Sequence, residues 1–418
     1  MSYINPLFRW WVTPRLPINH IYLTNEERHV GINKLMGTYI KRFFIHPIKR
    51  RLAKYYLITL KKIFGLKVIA ITGSAGKTTT KEMIASILKQ DGGTIASLAN
   101  IDPIYNIPST ILRCTPFTKY LVLEMGIEYP GEMDFYLWLA TPDMGVITNI
   151  YPTHTEFLGD VGGVYMEKSK LVRSLKKNDI AVLNSQDKYL TKLKNSLTGK
   201  IVWFGDGTAV MASQEKLQKN FTTEFRIIFD QNSLKKIKVT IPVFGSQFIL
   251  NALAASAASY SLGISIQKIK YGLEVFEPQK HRMRVKELRG GALLIDDSYN
   301  NNPEAAKVSL QALSFFPGRG KIVIFGDMLE LGNWNGKYHE ELGKFMGKLH
   351  LSKLICVGES AKISGEEAVK VMGKANVFEV SGWEEALSKL RPFINKNSLV
   401  FVKGSRGIGL DRLVSRLS

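Results

Sequence analysis

The sequence predicts an α/β protein of two successive domains, preceded by a short, basic, partly helical segment. Three observations predict it. From Leu66 onward short β-branched runs alternate with amphipathic stretches, the pattern of a mainly parallel sheet covered by helices. One such run, Val68-Ile69-Ala70-Ile71-Thr72, ends in a glycine loop, Gly73-Ser74-Ala75-Gly76-Lys77-Thr78, and a helix-like pattern follows from Lys81 to Lys89. Around Gln279–Arg282 the alternation begins afresh, so a second, Rossmann-like α/β domain follows the first. The expected divisions are 1–66, 67–279 and 280–418, and 418 residues are too many for one core.

The first 66 residues stand apart. Two patches mark them, Phe8-Arg9-Trp10-Trp11 and the stretch from Lys41 to Lys62, and Glu26 and Glu27 are their only acidic residues. Ile48, Leu52, Tyr55 and Thr59 recur at helical spacing among Lys49, Arg50, Arg51, Lys54, Lys61 and Lys62, and Pro47 reads as the helix start. A basic amphipathic helix of this kind has two readings. Either it lies on a membrane surface, or it packs on the next domain with its lysines solvated.

In the first domain the strand-like runs are Lys67–Thr72, Thr94–Leu98, Tyr120–Glu124, Met144–Asn149, Asp179–Asn184 and Lys200–Phe204. Phe221–Val243 alternates apolar and polar residues and reads as a short antiparallel addition. Phe248–Leu262, rich in alanine and leucine, reads as a buried helix, and Ile266–Val275 as a short one. The second domain offers Ala292–Asp296, Lys321–Phe325, Lys353–Val357, Val377–Val380 and Ser398–Val402. Its first turn, Ile295-Asp296-Asp297-Ser298-Tyr299-Asn300, is not G-x-G-x-x-G and does not announce a dinucleotide site.

Hydrophobic residues make up 45% of the chain, enough for a fully folded protein. Only Cys114 and Cys356 are cysteines, so no disulfide framework is expected, and a reducing, cytoplasmic setting fits. No uncharged run of about 18 apolar residues is present to span a membrane, and the start does not read as a signal peptide. The net charge of +21 favours anionic partners such as nucleotides, phosphorylated substrates or lipid heads. No specific nucleic acid is expected.

Strand, glycine loop and helix start are the physical recipe for holding phosphate. Glycines let backbone N–H groups turn inward, the helix N-terminus adds partial positive charge, Lys77 reaches the outer phosphates and Thr78 can ligate Mg²⁺. Ile71 stands where the common phosphate loop has its first glycine, so this is the tighter form, Thr-Gly-x-x-Gly-Lys-Thr. Glu124 closes a buried strand beside the loop; Mg²⁺ is the favoured reading over a helix cap or an ion pair. His154 follows another strand of the same sheet, and its surroundings alone leave a ligand and an ordinary loop histidine equally open. Lys168, Asn251 and Arg282 are mute when read alone.

Taken together these stretches resemble the Mur ligases. The resemblance rests on Thr72–Thr80, on Glu124-Met125-Gly126 with Pro130-Gly131-Glu132, and on Thr148-Asn149-Ile150 with His154. Asp296-Asp297-Ser298-Tyr299-Asn300-Asn301-Asn302-Pro303, Gly326-Asp327-Met328-Leu329-Glu330-Leu331-Gly332 with His339, and Val402-Lys403-Gly404-Ser405-Arg406-Gly407 resemble one branch of that family. That branch adds D-alanyl-D-alanine to the UDP-N-acetylmuramoyl-tripeptide of peptidoglycan synthesis.

The resemblance implies a central ATP-binding domain and a C-terminal domain that closes over it. It implies that Gly73, Ser74, Ala75, Gly76, Lys77, Thr78 and Thr79 hold the ATP phosphates, and that Thr78 with Glu124 holds one Mg²⁺. His154 would ligate a second Mg²⁺, and Lys168 matches the family's carbamylated lysine. Asn251 falls on the adenine-contacting helix, Arg282 on the arginine opening the C-terminal domain, and Asp296 on the acidic residue near the ribose. Asn300, Asn302, Lys403, Ser405 and Arg406 fall where the incoming substrates would lie. Lys77, Glu124, His154 and Lys168 would be the catalytic set, and an acyl phosphate the intermediate.

The sequence also departs from the family. The N-terminal domain that binds the UDP-sugar has no recognisable counterpart, since residues 1–66 are too short and too basic. Asn100–Pro108 matches the family's asparagine-rich loop only in part, Gln247 stands where histidine is frequent, and His281 where glycine is usual. These departures bear on the acceptor more than on the reaction. They admit a different carboxylate acceptor, lipid-linked or outside peptidoglycan, another amine in place of the dipeptide, and peripheral contact with the inner membrane face through residues 1–66.

Overall fold

The computed structural model describes residues 6–12, 14–16, 39–98, 101–218, 221–230 and 235–417. Asn100, residues 17–38 of the basic segment, with Glu26 and Glu27, and the side chains of Phe8 and Arg9 lie outside the described residues. The architecture is α/β, built on two six-stranded sheets and one three-stranded sheet.

The chain opens with α1 (Pro6–Val12), a π-helical turn (Lys41–Ile45) and α2 (His46–Phe64). Pro47 was expected to start this helix; instead the helical path begins ahead of it. Proline has no N–H to offer the carbonyl one turn back. The indole N–H of Trp11 takes that place, donating to the Phe43 carbonyl at 2.8 Å. Arg51 pins α1 further, donating to the Trp11 carbonyl at 2.7 Å and to that of Trp10, its guanidinium 4.5 Å from each indole ring.

The first sheet then follows: β1 (Lys67–Thr72), α3 (Lys77–Lys89), β2 (Gly93–Ala96), α4 (Pro103–Ile111), β3 (Thr118–Glu124), α5 (Glu132–Leu139), β4 (Met144–Ile147), α6 (Thr155–Leu158), α7 (Val161–Arg173), β5 (Ile180–Asn184) and β6 (Lys200–Phe204). Its order is β2-β3-β1-β4-β5-β6, all parallel. β1 lies between β3 and β4, where the strand order reverses, and the glycine loop leaves its carboxyl end at that switch point. Both faces are covered, so β1 is buried from Val68 to Thr72 and reads as a continuous apolar run.

β7 (Met211–Leu217), β8 (Thr223–Ile228) and β9 (Lys236–Ile241) form an antiparallel sheet, followed by α8 (Gln247–Ser261) and α9 (Ile266–Glu274). The antiparallel addition was expected from Phe221; β7 precedes it, a polar, half-exposed strand without the alternation that marks a buried face. The second large sheet runs through β10 (Arg284–Glu287), β11 (Leu293–Asp297), α10 (Pro303–Gln311), β12 (Gly320–Gly326), α11 (Asn335–Gly347), β13 (Lys353–Val357), α12 (Ala361–Met372), β14 (Val377–Val380), α13 (Trp383–Leu390), β15 (Ser398–Lys403) and α14 (Leu410–Leu417). Its order is β10-β11-β15-β12-β13-β14, parallel except for β10, a polar edge strand that the sequence did not announce.

Phe221 and Phe244 from the antiparallel region meet Phe316 of the second unit, with ring centroids 6.1 and 5.2 Å apart. The two large sheets thereby turn the carboxyl ends of β1 and β11 toward one cleft. Among the described residues no helix is long and apolar enough to cross a membrane.

Packing of α9 on α3 is a close backbone approach. Ser86 Oγ donates to the Gly272 carbonyl at 2.7 Å, and a Cβ on Gly272 would lie 2.4 Å from Ile87 Cα. Helix propensity alone favours alanine there by about 1 kcal/mol. Crowding against main chain should dominate and cost about 2 kcal/mol net. Gly272→Ala should therefore lower the urea midpoint of unfolding; an unchanged or raised midpoint would mean the helices separate freely.

Candidate active site

The loop after β1 is shaped by what surrounds it. Gly73 has φ +146°, and a Cβ there would sit 1.9 Å from Thr148 Oγ1. Gly76 has φ +79°, and its Cβ would meet Asn251 Oδ1 at 2.3 Å. Thr148 and Asn251 thus explain why both positions are glycine. Asn149 Oδ1 accepts the Ala75 N–H at 2.8 Å, and Thr148 Oγ1 donates to the Ala75 carbonyl at 2.6 Å. α3 starts at Lys77, not at Lys81; the β-branched Thr78-Thr79-Thr80 hid the first turn. Lys77 Nζ donates to the Gly73 carbonyl at 2.9 Å, and burial holds it below its ordinary pKa against the pull of Glu124.

Thr78 Oγ1 donates to Glu124 Oε1 at 3.0 Å, and Arg282 Nη2 reaches Thr78 Oγ1 at 3.4 Å from the second unit. Lys81, which sequence reasoning passed over, is fully buried and bonded to Glu82 at 2.9 Å and to the Ser97 carbonyl at 2.7 Å.

His154 sits in the left-handed region at φ +54°, as does Glu330 at φ +65°, and His154 Nδ1 is bonded to Glu330 Oε2 across the cleft. Burial lowers the His154 pKa with Glu330 opposing, while that hydrogen bond lowers the Glu330 pKa. Both directions fit a neutral imidazole donating to a carboxylate. Ligand atoms of Glu128, His154 and Glu330 lie within 4.8 Å of one another, a spacing that a metal ion can bridge.

Lys168 on α7 is completely buried, and among the described residues its Nζ has no hydrogen-bond partner. Burial and the neighbouring charge of Lys77 hold its pKa far below the ordinary lysine value, against Glu132, Glu167 and Glu128. Two of those carboxylates are engaged with backbone. Glu167 Oε1 accepts from Gly131 N–H at 2.8 Å and Glu132 Oε2 from Glu128 N–H at 2.7 Å.

A cavity of about 410 Å³ opens between the units. Ser74, Ala75, Gly76, Lys77, Thr78 and Thr79 line one side, Asn251 and Gln247 the back, and Arg282, Asn300, Asn302 and Lys403 the other. Arg282 lies 4.3 Å from the Tyr299 ring centroid, and Lys403 Nζ donates to Asp297 at 2.7 Å and to the Asn300 carbonyl at 2.9 Å. Asn302 caps α10, accepting the Ala305 N–H at 2.9 Å.

Other expected residues lie off this cavity. Glu124, His154 and Lys168 belong to the electrostatic surroundings of Lys77 and are not among its lining. Asp296 is buried and engaged by His281 at 2.9 Å and Ser298 Oγ at 2.7 Å; its neighbour Asp297 faces the cavity instead. Ser405 Oγ accepts the Leu329 N–H at 3.1 Å, and Arg406 stands 6.0 Å from the Tyr299 ring. Glu128, Glu330 and Asp297 were given no role from the sequence; Asp297 ends β11, and Glu128 and Glu330 lie in the loops that follow β3 and β12, which was the available signal. Gln247 was noted only as a departure. Among the described residues its amide nitrogen and oxygen have no partner, and Gly245 leaves room for it.

Comparison with known proteins agrees with this architecture. Residues 71–259 match the Mur ligase middle domain, and residues 281–406 match the Mur ligase glutamate ligase domain. UDP-N-acetylmuramoyl-tripeptide–D-alanyl-D-alanine ligase of Buchnera aphidicola is 33% identical over 84% of this chain and 75% of its own. The crystal structure of MurF from Acinetobacter baumannii superposes with a TM-score of 0.80 at 29% identity, covering 89% of this chain and 80% of that one. MurF from Thermotoga maritima in complex with ADP superposes at 0.76 with 26% identity, covering 94% and 87%.

Glu128 gives a pH test of the acidic crowding. Removal from water, then the facing Glu330, Glu132 and Asp102, push its pKa from 4.5 up to about 7, although the side chain keeps an exposed edge. Its ionised form is therefore disfavoured in the folded state. The cost is absent below 4.5, grows with pH and is complete above about 7. In metal-free buffer Glu128→Gln should raise the melting temperature by about 2 °C at high pH, near 8, and leave it unchanged near 4. An equal melting temperature at the higher pH would refute the crowding.

Proposed function

The chain belongs to the Mur ligase family, and from that premise we propose that it joins D-alanyl-D-alanine to the terminal carboxylate of a UDP-N-acetylmuramoyl-tripeptide. It is an ATP-dependent, ADP-forming ligase. The observation that carries the reading is Lys168, a buried amine without a partner in the electrostatic surroundings of Lys77.

The acceptor carboxylate attacks the γ-phosphorus of ATP, giving an acyl phosphate and ADP. The dipeptide amine then attacks the acyl carbon, inorganic phosphate leaves, and the amine proton is released. Both steps gather negative charge in one place, so the work is positioning and charge stabilisation. Backbone N–H groups from Ser74 to Thr79 and Lys77 hold the phosphates, with Arg282 closing from the second unit. Gln247 and Asn251 face the base, and Asp297 comes closer to the nucleotide than Asp296 does. Lys403, Asn300 and Asn302 present the far wall to the amine, with Ser405 and Arg406 behind it.

The residues fit the two Mg²⁺ ions that the family implies. Thr78 and Glu124 already share a hydroxyl–carboxylate contact, and they would hold one ion. His154 and Lys168 would hold the other. A desolvated, neutral Lys168 amine can add CO₂, releasing a proton and becoming a carbamate anion. Bound Mg²⁺ supplies neutralisation of phosphate charge. Residues 67–279 form the ATP-binding domain in this reading and 280–418 the closing domain.

A second reading concerns the acceptor. The described residues ahead of β1 are helical and contain no sheet to receive a uridine diphosphate. A carboxylate acceptor carried another way, lipid-linked among them, with peripheral contact of residues 1–66 at the cytoplasmic membrane face, fits that segment. An ADP-release assay over UDP-muramoyl peptides, with D-alanyl-D-alanine or single amino acids, separates the readings. ADP release that requires the tripeptide and the dipeptide together is expected, and its absence across the panel would sink the reaction.

Lys168→Ala should lower turnover by about 100-fold or more, the scale of a lost electrostatic group at a reacting centre, with ATP affinity retained. In ¹³C-bicarbonate the wild type should give a carbamate carbonyl signal that Lys168→Ala lacks. Near-normal turnover of the variant would remove the carbamate from the mechanism.

A further inference from the structure

α2 has two unlike faces. Pro47, Ala53, Leu57 and Leu60 are buried against the first unit. Lys49 donates to Ser109 Oγ at 2.8 Å and Tyr56 to the Cys114 carbonyl at 2.8 Å, which fixes the helix on α4. On the other side stand Phe44, Ile48, Leu52 and Tyr55, at 60, 54, 59 and 65% exposure. Their spacing puts them in one row along the helix. Ile40 and Ile63 prolong it at both ends. Scattered exposed apolar side chains need no account, but a continuous row on one helix face marks a surface made to be covered.

Charge says what covers it. Between Glu27 and Glu82 the sequence holds no acidic residue, while Lys41, Arg42, Lys49, Arg51, Lys54 and Lys62 fall on or beside α2; the buried Arg50 and the Asp143-paired Lys61 serve the domain contact. Trp10, 62% exposed, is stacked by Arg51 at the rim, the amphipathic pairing suited to the headgroup zone. The border of the row is positive. Apolar groups that enter the acyl boundary beside cations that meet lipid phosphates are the two signals of stable interfacial binding.

We propose that α2 docks this face on an anionic bilayer. The inference deepens the peripheral-contact reading above and rests on it, but not on the ligase chemistry. Its consequence for the site follows from α4. The His46 ring lies 5.1 Å from that of Tyr105, near the start of α4, and Pro103 Cγ and Lys77 Cε both lie 3.8 Å from where a Cβ on Gly126 would stand. The Phe44 end of the docking face is therefore the end nearest the phosphate-reacting lysine.

Vesicle co-sedimentation of the full chain tests this. Wild type should pellet with phosphatidylcholine–phosphatidylglycerol vesicles and stay in solution with phosphatidylcholine alone, and added salt should release it. Phe44→Ser with Leu52→Ser should weaken that binding at least about tenfold, from the apolar area withdrawn. Lys41→Gln with Lys62→Gln should weaken it for anionic vesicles only. Because these side chains are exposed, melting temperatures should not move. Failure of the wild type to bind anionic vesicles, or undiminished binding by the serine variant, would overturn the proposal. So would a dimer in sedimentation velocity that the serine substitutions dissolve while vesicles bind nothing. ADP release on soluble acceptor is read separately: its absence would end the ligase reading and leave docking standing, and the serine variant should retain it.

Discussion

The structure depends on bringing two sheet ends together across a cleft crowded with charge. Two contacts do this at the reacting end, Arg282 to Thr78 Oγ1 and Glu330 to His154. Each joins a group on the first unit to one on the second. Both lie among backbone held in the left-handed region: His154, His281, Met283 and Glu330 all have φ between +48° and +65°. Such conformations cost a non-glycine residue about 1–2 kcal/mol each. They persist where surrounding contacts over-determine them. His281 illustrates the compensation. At φ +62° the position suits glycine, and here the imidazole gains Asp296 at 2.9 Å in exchange.

Much of this was legible in the sequence because parallel strands buried on both faces cannot hide. β1 and β13 begin and end where the apolar runs do, and the half-exposed edge strands β6 and β14 do so as well. The glycine loop was legible for a similar reason, since local chemistry dictates it. β7 and β10 were not, being polar edge strands whose pairing is decided by their neighbours rather than by their own side chains. Lys168 and Asn251 were silent as single residues because their meaning is burial and proximity, which no local pattern encodes. Asp296 and Asp297 show the finest limit. Adjacent residues on a strand point to opposite faces, so the one that reaches the cavity is settled by register with β15, where Asp297 pairs with Lys403.

The N-terminal helix packs on the first unit, as one of its two readings had it, but with fewer solvated cations than that reading expected. Its cations are largely engaged: Arg50 with the Val12 carbonyl at 2.9 Å, Arg51 with the tryptophans, Lys61 with Asp143 at 3.1 Å. Packing on the domain and an outward apolar row coexist because a helix of this length offers both faces at once. Trp11 completes the hydrogen bond that Pro47 forfeits, so one member of the aromatic patch is a structural clamp.

Among the described residues three lysines are buried, Lys81, Lys168 and Lys403, and comparing them sets one apart. Lys81 has Glu82 at 2.9 Å and the Ser97 carbonyl at 2.7 Å. Lys403 has Asp297 at 2.7 Å and the Asn300 carbonyl at 2.9 Å. Both follow the rule that a buried cation is paired, because desolvation otherwise costs several kcal/mol. Lys168 breaks it, and its nearest acids, Glu132 and Glu167, are engaged with backbone N–H groups of the neighbouring loop. An ammonium there would be expensive, and burial together with the charge of Lys77 holds the Lys168 pKa well below the ordinary lysine value. A buried methionine or leucine would serve packing better. Packing alone does not account for an amine that, among the described residues, is dry, unpaired and within reach of the Lys77 charge.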